Sequence, residues 1–139
     1  MKRLLSGLVL RYFRSLAKIQ LKRTKPLIIG ITGSAGKTSA MTAVAAVLKD
    51  TRQVKTSDKA NSESGIPLNI LGLYPKSFAP SDWLRLMIQA PTKLAINLVT
   101  NQEKYDTYVA ELGIDSPFPP KNMGYLLTIL HPDIGIFTA

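Results

Sequence analysis

The sequence predicts an α/β fold in which a parallel β-sheet is flanked by helices, preceded by an N-terminal amphipathic helix. Two observations support the sheet. Short apolar runs typical of buried strands alternate with segments of helical periodicity over residues 26–139. The spacing between the runs leaves room for a helical crossover, which parallel strands require. A third observation supports the leading helix, since apolar and basic side chains in residues 1–25 recur every three or four positions.

The elements follow from local signals in the chain. Pro26 separates the leading helix from the first strand, and Pro132 ends the helix that precedes the last strand. Pro67 is predicted to open a helical turn, and Pro91 to divide an apolar segment into two short helical pieces. The predicted elements are helix 1–25, strand 27–31, helix 39–49, strand 53–56, a polar loop 57–66, helical pieces within 82–99, strand 105–112, helix 123–130 and strand 134–138.

Length and charge divide the chain into two parts. A chain of 139 residues accommodates one domain with a real core, which we assign to residues 26–139 and expect to be incomplete at its C-terminus. Residues 1–25 carry eight Lys and Arg and no acid, whereas the other 114 residues carry ten basic and nine acidic side chains. The domain is therefore nearly neutral, which argues against a nucleic-acid-binding surface. The chain has no cysteine, which excludes disulfides and thiolate metal sites.

The basic amphipathic helix over residues 1–25 has two interpretations. An apolar stripe beside a Lys/Arg stripe suits an anionic membrane surface, and the same pattern suits a helix docked on its own domain. Its longest uncharged run, residues 4–10, is far shorter than the ~20 residues of a membrane span. The apolar members of the pattern are Leu5, Leu8, Val9, Tyr12, Leu16 and Ile19, and the basic members are Arg11, Arg14, Lys18, Lys22 and Lys25. We expect a cytoplasmic protein, peripheral at the inner face of the membrane under the first interpretation.

The glycine-rich turn after the first strand predicts a phosphate-binding site. Glycines allow backbone N–H groups to surround an anion, and the dipole of the following helix adds positive potential. Lys37 would reach the β/γ-phosphates, and the Thr38 hydroxyl would sit on Mg²⁺. Ile31 stands where the common P-loop spacing has glycine, so the turn is a tighter variant. The predicted nucleotide-binding residues are Gly33, Ser34, Ala35, Gly36, Lys37, Thr38 and Ser39.

Residues 30–39 resemble the ATP-binding loop of the Mur ligases, which build the peptide of bacterial cell-wall precursors. Two later stretches agree with that family in order and spacing. The run Asn-Ser-Glu-Ser-Gly-Ile-Pro-Leu at 61–68 resembles a segment of the D-alanyl-D-alanine-adding branch, and Glu-Leu-Gly at 111–113 resembles the family's Glu-x-Gly. The resemblance covers the central ATPase domain from about Pro26 to Ala139.

The resemblance implies roles for three further residues. Asn61 and Glu63 would contact the acceptor substrate, although position 64 is serine where the family suggests a larger apolar residue. Glu111 would be catalytic with Lys37 and would hold Mg²⁺ with Thr38, because hard cations prefer oxygen ligands. An acid at the carboxyl end of a strand also lies where a parallel sheet gathers its ligand groups.

The implied function is ATP-dependent amide ligation in peptidoglycan precursor synthesis, with ATP and Mg²⁺ as cofactors. A carboxylate on a UDP-MurNAc-peptide-like acceptor would become an acyl phosphate, and a D-alanyl-D-alanine-like amine would then displace phosphate. The family's later Asn/His motif and C-terminal domain would follow Ala139, so we expect a fragment containing half of the active site. Two alternatives remain: a membrane-associated P-loop nucleotide-binding module without ligase activity, and a ligase like the folate polyglutamylating enzymes.

Overall fold

A computed structural model describes residues 2–77, 79–100 and 102–139. The side chains of residues 1–5 lie outside the description, and with them Leu5 of the predicted amphipathic pattern. The elements in order are α1 (Lys2–Thr24), β1 (Leu27–Gly33), α2 (Lys37–Leu48), β2 (Val54–Thr56), α3 (Gly65–Leu71), α4 (Pro80–Thr100), β3 (Thr107–Glu111), α5 (Met123–Leu127) and β4 (Ile134–Thr138).

The four strands form one parallel sheet in the order β2-β3-β1-β4. The fold class is therefore α/β with helices flanking an all-parallel sheet, which confirms that part of the prediction. Crossovers between parallel strands place helices over both faces of such a sheet. Because β1 and β3 are neighbours and Ile31 is paired with Glu111, the carboxyl ends of these two strands meet.

Alternation along the strands sends side chains to two different cores. Tyr108 and Ala110 of β3 face one side, where they join residues from α1, α3 and α5. Val109 faces the other side and packs with Ile31 and Met41 of α2. A third cluster lies outside the sheet, where α1, α3 and α4 bury Phe13, Leu68 and Leu86 against one another.

The basic helix α1 is docked on the domain through its apolar side. Phe13 and Ala17 are completely buried, and Phe13 packs against Trp83 of α4 with ring centroids 6.1 Å apart. On another side of α1, Arg14 donates a hydrogen bond to Thr128 and lies over the Tyr125 ring. The described part of α1 is thus docked on the domain, while Arg11, Lys18 and Lys22 on a different side of the helix stay exposed.

The prediction of two short helical pieces within residues 82–99 was wrong, because α4 runs unbroken through Pro91. A proline inside a helix has no N–H for the carbonyl four residues earlier, which here is that of Met87. Tyr12 of α1 donates its hydroxyl to the Met87 carbonyl oxygen at 2.9 Å. The hydrogen bond that Pro91 cannot make is therefore supplied by another helix, and this keeps α4 continuous.

Candidate functional site

The turn between β1 and α2 depends on two glycines. Gly36 precedes the first residue of α2 with φ 75°, a left-handed conformation that strongly favours glycine. Gly33 ends β1 with φ 143°, and a Cβ there would collide with the backbone of Thr138 in β4. A Cβ at Gly36 would meet only open space, so the mouth of the turn is accessible. The first N–H groups of α2 have no acceptor within the helix and point toward this mouth.

Lys37 curls back over the turn that precedes it. Its ammonium donates a hydrogen bond to the Gly33 carbonyl oxygen at 2.8 Å. The ammonium charge is therefore held at the N-terminus of α2, which is the positive end of the helix dipole, and the two positive potentials add. The exposed residues Ser34 and Ala35 complete the turn, and Ser39 is exposed in the first turn of α2.

Thr38 and Glu111 are in direct contact although 73 positions separate them. The Thr38 hydroxyl donates to Oε2 of Glu111 at 2.7 Å, and Asn61 approaches the other carboxylate oxygen, with Nδ2 at 3.5 Å from Oε1. Glu111 is only 7% exposed at the end of β3. A buried carboxylate needs such donors, because leaving it unpaired away from water is costly. Three of the predicted site residues therefore meet at one point.

Ser57 fixes the geometry of this cluster and was not among the predicted site residues. It is completely buried directly after β2, where its N–H donates to the Val109 carbonyl and its hydroxyl accepts the Glu111 N–H at 2.9 Å. The Asn61 carbonyl accepts the Gly113 N–H, also at 2.9 Å. The polar loop is thus fastened to the end of β3 at two points. The sequence signal that could have identified Ser57 is its place as a small hydroxyl residue directly after a predicted strand.

Glu63 has different surroundings from Asn61. The pKa of the Tyr125 hydroxyl in α5 is raised by burial, lowered by the positive charge of Arg14 and raised again by Glu63. The Glu63 carboxylate therefore acts on the region between α1 and α5. Of the two residues predicted to contact the acceptor, only Asn61 hydrogen-bonds to Glu111 among the described residues.

A cavity of about 340 Å³ opens beside the polar loop. The loop contributes Ser57, Lys59 and Ser62 to its wall, and Trp83 of α4 contributes an aromatic side. A concave site with polar groups on one side and an aromatic ring on the other is typical of small-molecule binding. Asn61 and Glu111 do not line this cavity, and its link to the cluster is Ser57, whose hydroxyl accepts the Glu111 N–H.

The cluster is suited to a Mg²⁺ ion that also binds phosphate. The hydroxyl oxygen of Thr38 and a carboxylate oxygen of Glu111 lie 2.7 Å apart, and both are hard oxygen ligands of the kind that Mg²⁺ prefers. Within residues 2–77, 79–100 and 102–139 there is no group of three or more His, Cys, Asp or Glu side chains that could hold a metal alone. Mg²⁺ is commonly bound by one or two protein oxygens together with phosphate and water. The residues present therefore fit an ion that arrives with a nucleotide.

No helix in the described part of the chain has both the length and the apolar character needed to cross a bilayer. Comparison of the chain with protein families, with curated proteins and with solved structures found no match.

Proposed function

We propose that this chain binds ATP with Mg²⁺ at the β1–α2 turn and is the nucleotide-binding part of an ATP-dependent amide ligase of the Mur type. The contact between Thr38 and Glu111 carries the proposal. It joins the helix that follows the turn to the carboxyl end of the neighbouring strand, which is where ligands bind in open parallel sheets.

Each residue has a role in this proposal. Lys37 exchanges the Gly33 carbonyl for phosphate oxygens, and the N–H groups at the start of α2 bind the same phosphates. Thr38 and Glu111 hold Mg²⁺, which when bound offsets the negative charge that develops on the transferring phosphoryl group. Asn61 keeps the Glu111 carboxylate oriented, and the cavity between the polar loop and Trp83 accepts the substrate whose carboxylate is phosphorylated.

The ligase half of the proposal rests on the resemblance to the Mur family. There an acceptor carboxylate attacks the γ-phosphate to form an acyl phosphate, and an amine then displaces phosphate to form the amide. The acceptor would be a UDP-MurNAc-peptide-like molecule and the amine D-alanyl-D-alanine-like. The fastening of the 57–66 loop to β3 supports this proposal over a bare nucleotide-binding module, since such a module has no need of an ordered polar loop at Glu111.

The first test is calorimetric titration of the chain with MgATP. Lys37→Ala removes the charge at the turn and should weaken binding roughly 10- to 100-fold, the effect of losing charged hydrogen bonds. Lys49→Ala removes the same charge at the other end of α2 and should leave affinity unchanged. Equal affinities for wild type and Lys37→Ala would refute the nucleotide site.

A second variant separates the metal from the phosphates. Glu111→Gln keeps the shape of the side chain and removes its charge, so affinity for ATP in EDTA should persist while the gain from added Mg²⁺ falls. The ligase half is tested by phosphate release from ATP on adding acceptor carboxylates. Tight MgATP binding with no acceptor-dependent phosphate release would contradict the ligase and leave the nucleotide site standing.

A further inference from the structure

The exposed side of α1 carries a stripe of cations. Arg11, Lys18 and Lys22 recur at spacings of seven and four, so they share one face of the helix. All three are exposed, and the ion pairs found in the described part of the chain involve none of them. Docking of α1 on the domain therefore buries the side that carries Phe13 and Ala17 and leaves the positive stripe exposed.

The exposed side of α4 is apolar. Leu84, Ile88 and Val99 are 60%, 65% and 84% exposed, and the exposed residues Pro91 and Ala95 lie between them at helical spacing. The charged side chains of this helix have partners of their own, since Asp82 is buried and pairs with Arg85, and Lys93 donates to Gln102. Exposed apolar residues are common singly, but a stripe along four turns of one helix marks an interaction surface.

The two stripes are neighbours on the molecule. Tyr12 of α1 bonds to the Met87 carbonyl of α4, so the helices touch there. Leu8 and Ile19 are spaced four and seven positions from Tyr12 and are exposed along that edge of α1. Leu84 and Pro91 are three and four positions from Met87 and lie along the facing edge of α4. Apolar surface therefore runs from α4 onto α1 and is bordered by the cations.

We propose that this α1–α4 face, defined by Leu8, Arg11, Lys18, Lys22, Leu84 and Ile88, binds the surface of an anionic phospholipid bilayer. The inference is independent of the proposed nucleotide site. The aliphatic side chains enter the boundary between headgroups and acyl chains, and the cations contact lipid phosphates beside them.

Charge complementarity selects this occupant over a protein partner. Residues 1–25 contain eight basic side chains and no acid, whereas the rest of the chain is close to neutral. A bilayer offers uniform negative charge directly above an apolar layer, and the α1–α4 face offers cations directly beside an apolar stripe. Phe118 adds to the match, since it is exposed and lines a surface cavity together with Arg11 on the far side of α1.

The test is co-sedimentation of the whole chain with vesicles. We expect binding to vesicles of phosphatidylcholine with phosphatidylglycerol, weakening as salt is added, and little binding to phosphatidylcholine alone. The triple variant Arg11→Gln/Lys18→Gln/Lys22→Gln should lower the affinity about a hundredfold, since each cation near such a surface contributes about fivefold. The matched control Lys49→Gln/Lys59→Gln/Lys104→Gln makes the same change in net charge at exposed sites elsewhere and should bind like wild type, apart from a small loss.

The apolar stripe is tested separately. Leu84→Gln/Ile88→Gln should lower the affinity about tenfold or more, whereas Val47→Gln/Phe137→Gln, at exposed apolar sites outside the face, should not. Failure of wild type to sediment with anionic vesicles, equal losses in the two triple variants, or a stable dimer that buries the stripe without binding vesicles would each overturn the proposal.

Discussion

The two faces of the sheet are covered very differently. On one face, six of the seven residues of α3 are buried, and α1, α4 and α5 pack around them. On the other face, α2 buries only Met41 among its twelve residues. Val47, an apolar residue of the same helix, is 76% exposed.

The difference assigns different tasks to the two faces. The heavily covered face supplies most of the core, and α1 belongs to it as a structural element as much as α3 does. The lightly covered face carries the helix whose first residues form the candidate site. Few apolar contacts hold α2, so the contact of Thr38 with Glu111 matters more for its position. Functional elements are often drawn from such weakly held regions.

The largest effect should come from the heavily covered face. Phe13→Ala empties a site that is fully buried between α1, α3 and α4, and the free energy of unfolding should fall by about 3–5 kcal/mol. Denaturant unfolding followed by circular dichroism measures this change. Leu8→Ala on the exposed side of the same helix should cost less than about 0.5 kcal/mol. A small loss of stability at both positions would show that α1 contributes little to the core, and would contradict the contrast between the two faces.

The lightly covered face should give a smaller effect. Met41→Ala removes the buried anchor of α2 and should lower the free energy of unfolding by about 2 kcal/mol, at the low end of the range for such substitutions because the site can collapse. Val47→Ala is the control on the same helix and should change stability by less than about 0.5 kcal/mol. A loss at Met41 as large as that at Phe13 would mean that the two faces are equally well packed.

The smallest effect concerns the hydrogen bond between α1 and α4. Tyr12→Phe leaves the Met87 carbonyl without its donor and should cost about 1 kcal/mol of unfolding free energy. In a Pro91→Ala background the helix supplies its own N–H to that carbonyl, so the same substitution should cost less. A double-mutant cycle measures the coupling. Identical costs in the two backgrounds would show that Tyr12 does not compensate for the proline.

Local patterns in the sequence sufficed for much of the fold. The strand at 134–138 has the predicted bounds, and β1, α2 and β3 differ from the prediction by a few residues at their ends. These elements are read correctly because their apolar runs are bounded by glycine or proline. The meeting of Glu111 with Thr38 was also predictable in outline, since a parallel sheet gathers groups at the carboxyl ends of its strands.

What the sequence could not supply is information held by distant partners. Pro91 was predicted to interrupt the helix because the donor that replaces its missing N–H is the Tyr12 hydroxyl, 79 positions away. No local signal in the sequence marks that hydrogen bond. The role of Ser57 depends on the backbone of Glu111 in the neighbouring strand. The exposure of Val47 depends on how little of the sheet α2 covers. Each is a property of packing between elements, which periodicity within one element does not encode.

The hydrogen bond between Tyr12 and Met87 can form only after α4 has been synthesised, long after α1. Ribosomes add roughly 5–20 residues per second, so α4 is complete roughly 4–15 s after α1. During that interval α3 can already cover part of the side of α1 that carries Phe13, but the part that packs against Trp83 stays uncovered until α4 is made. The molecule therefore closes late, when its last long helix reaches back to its first.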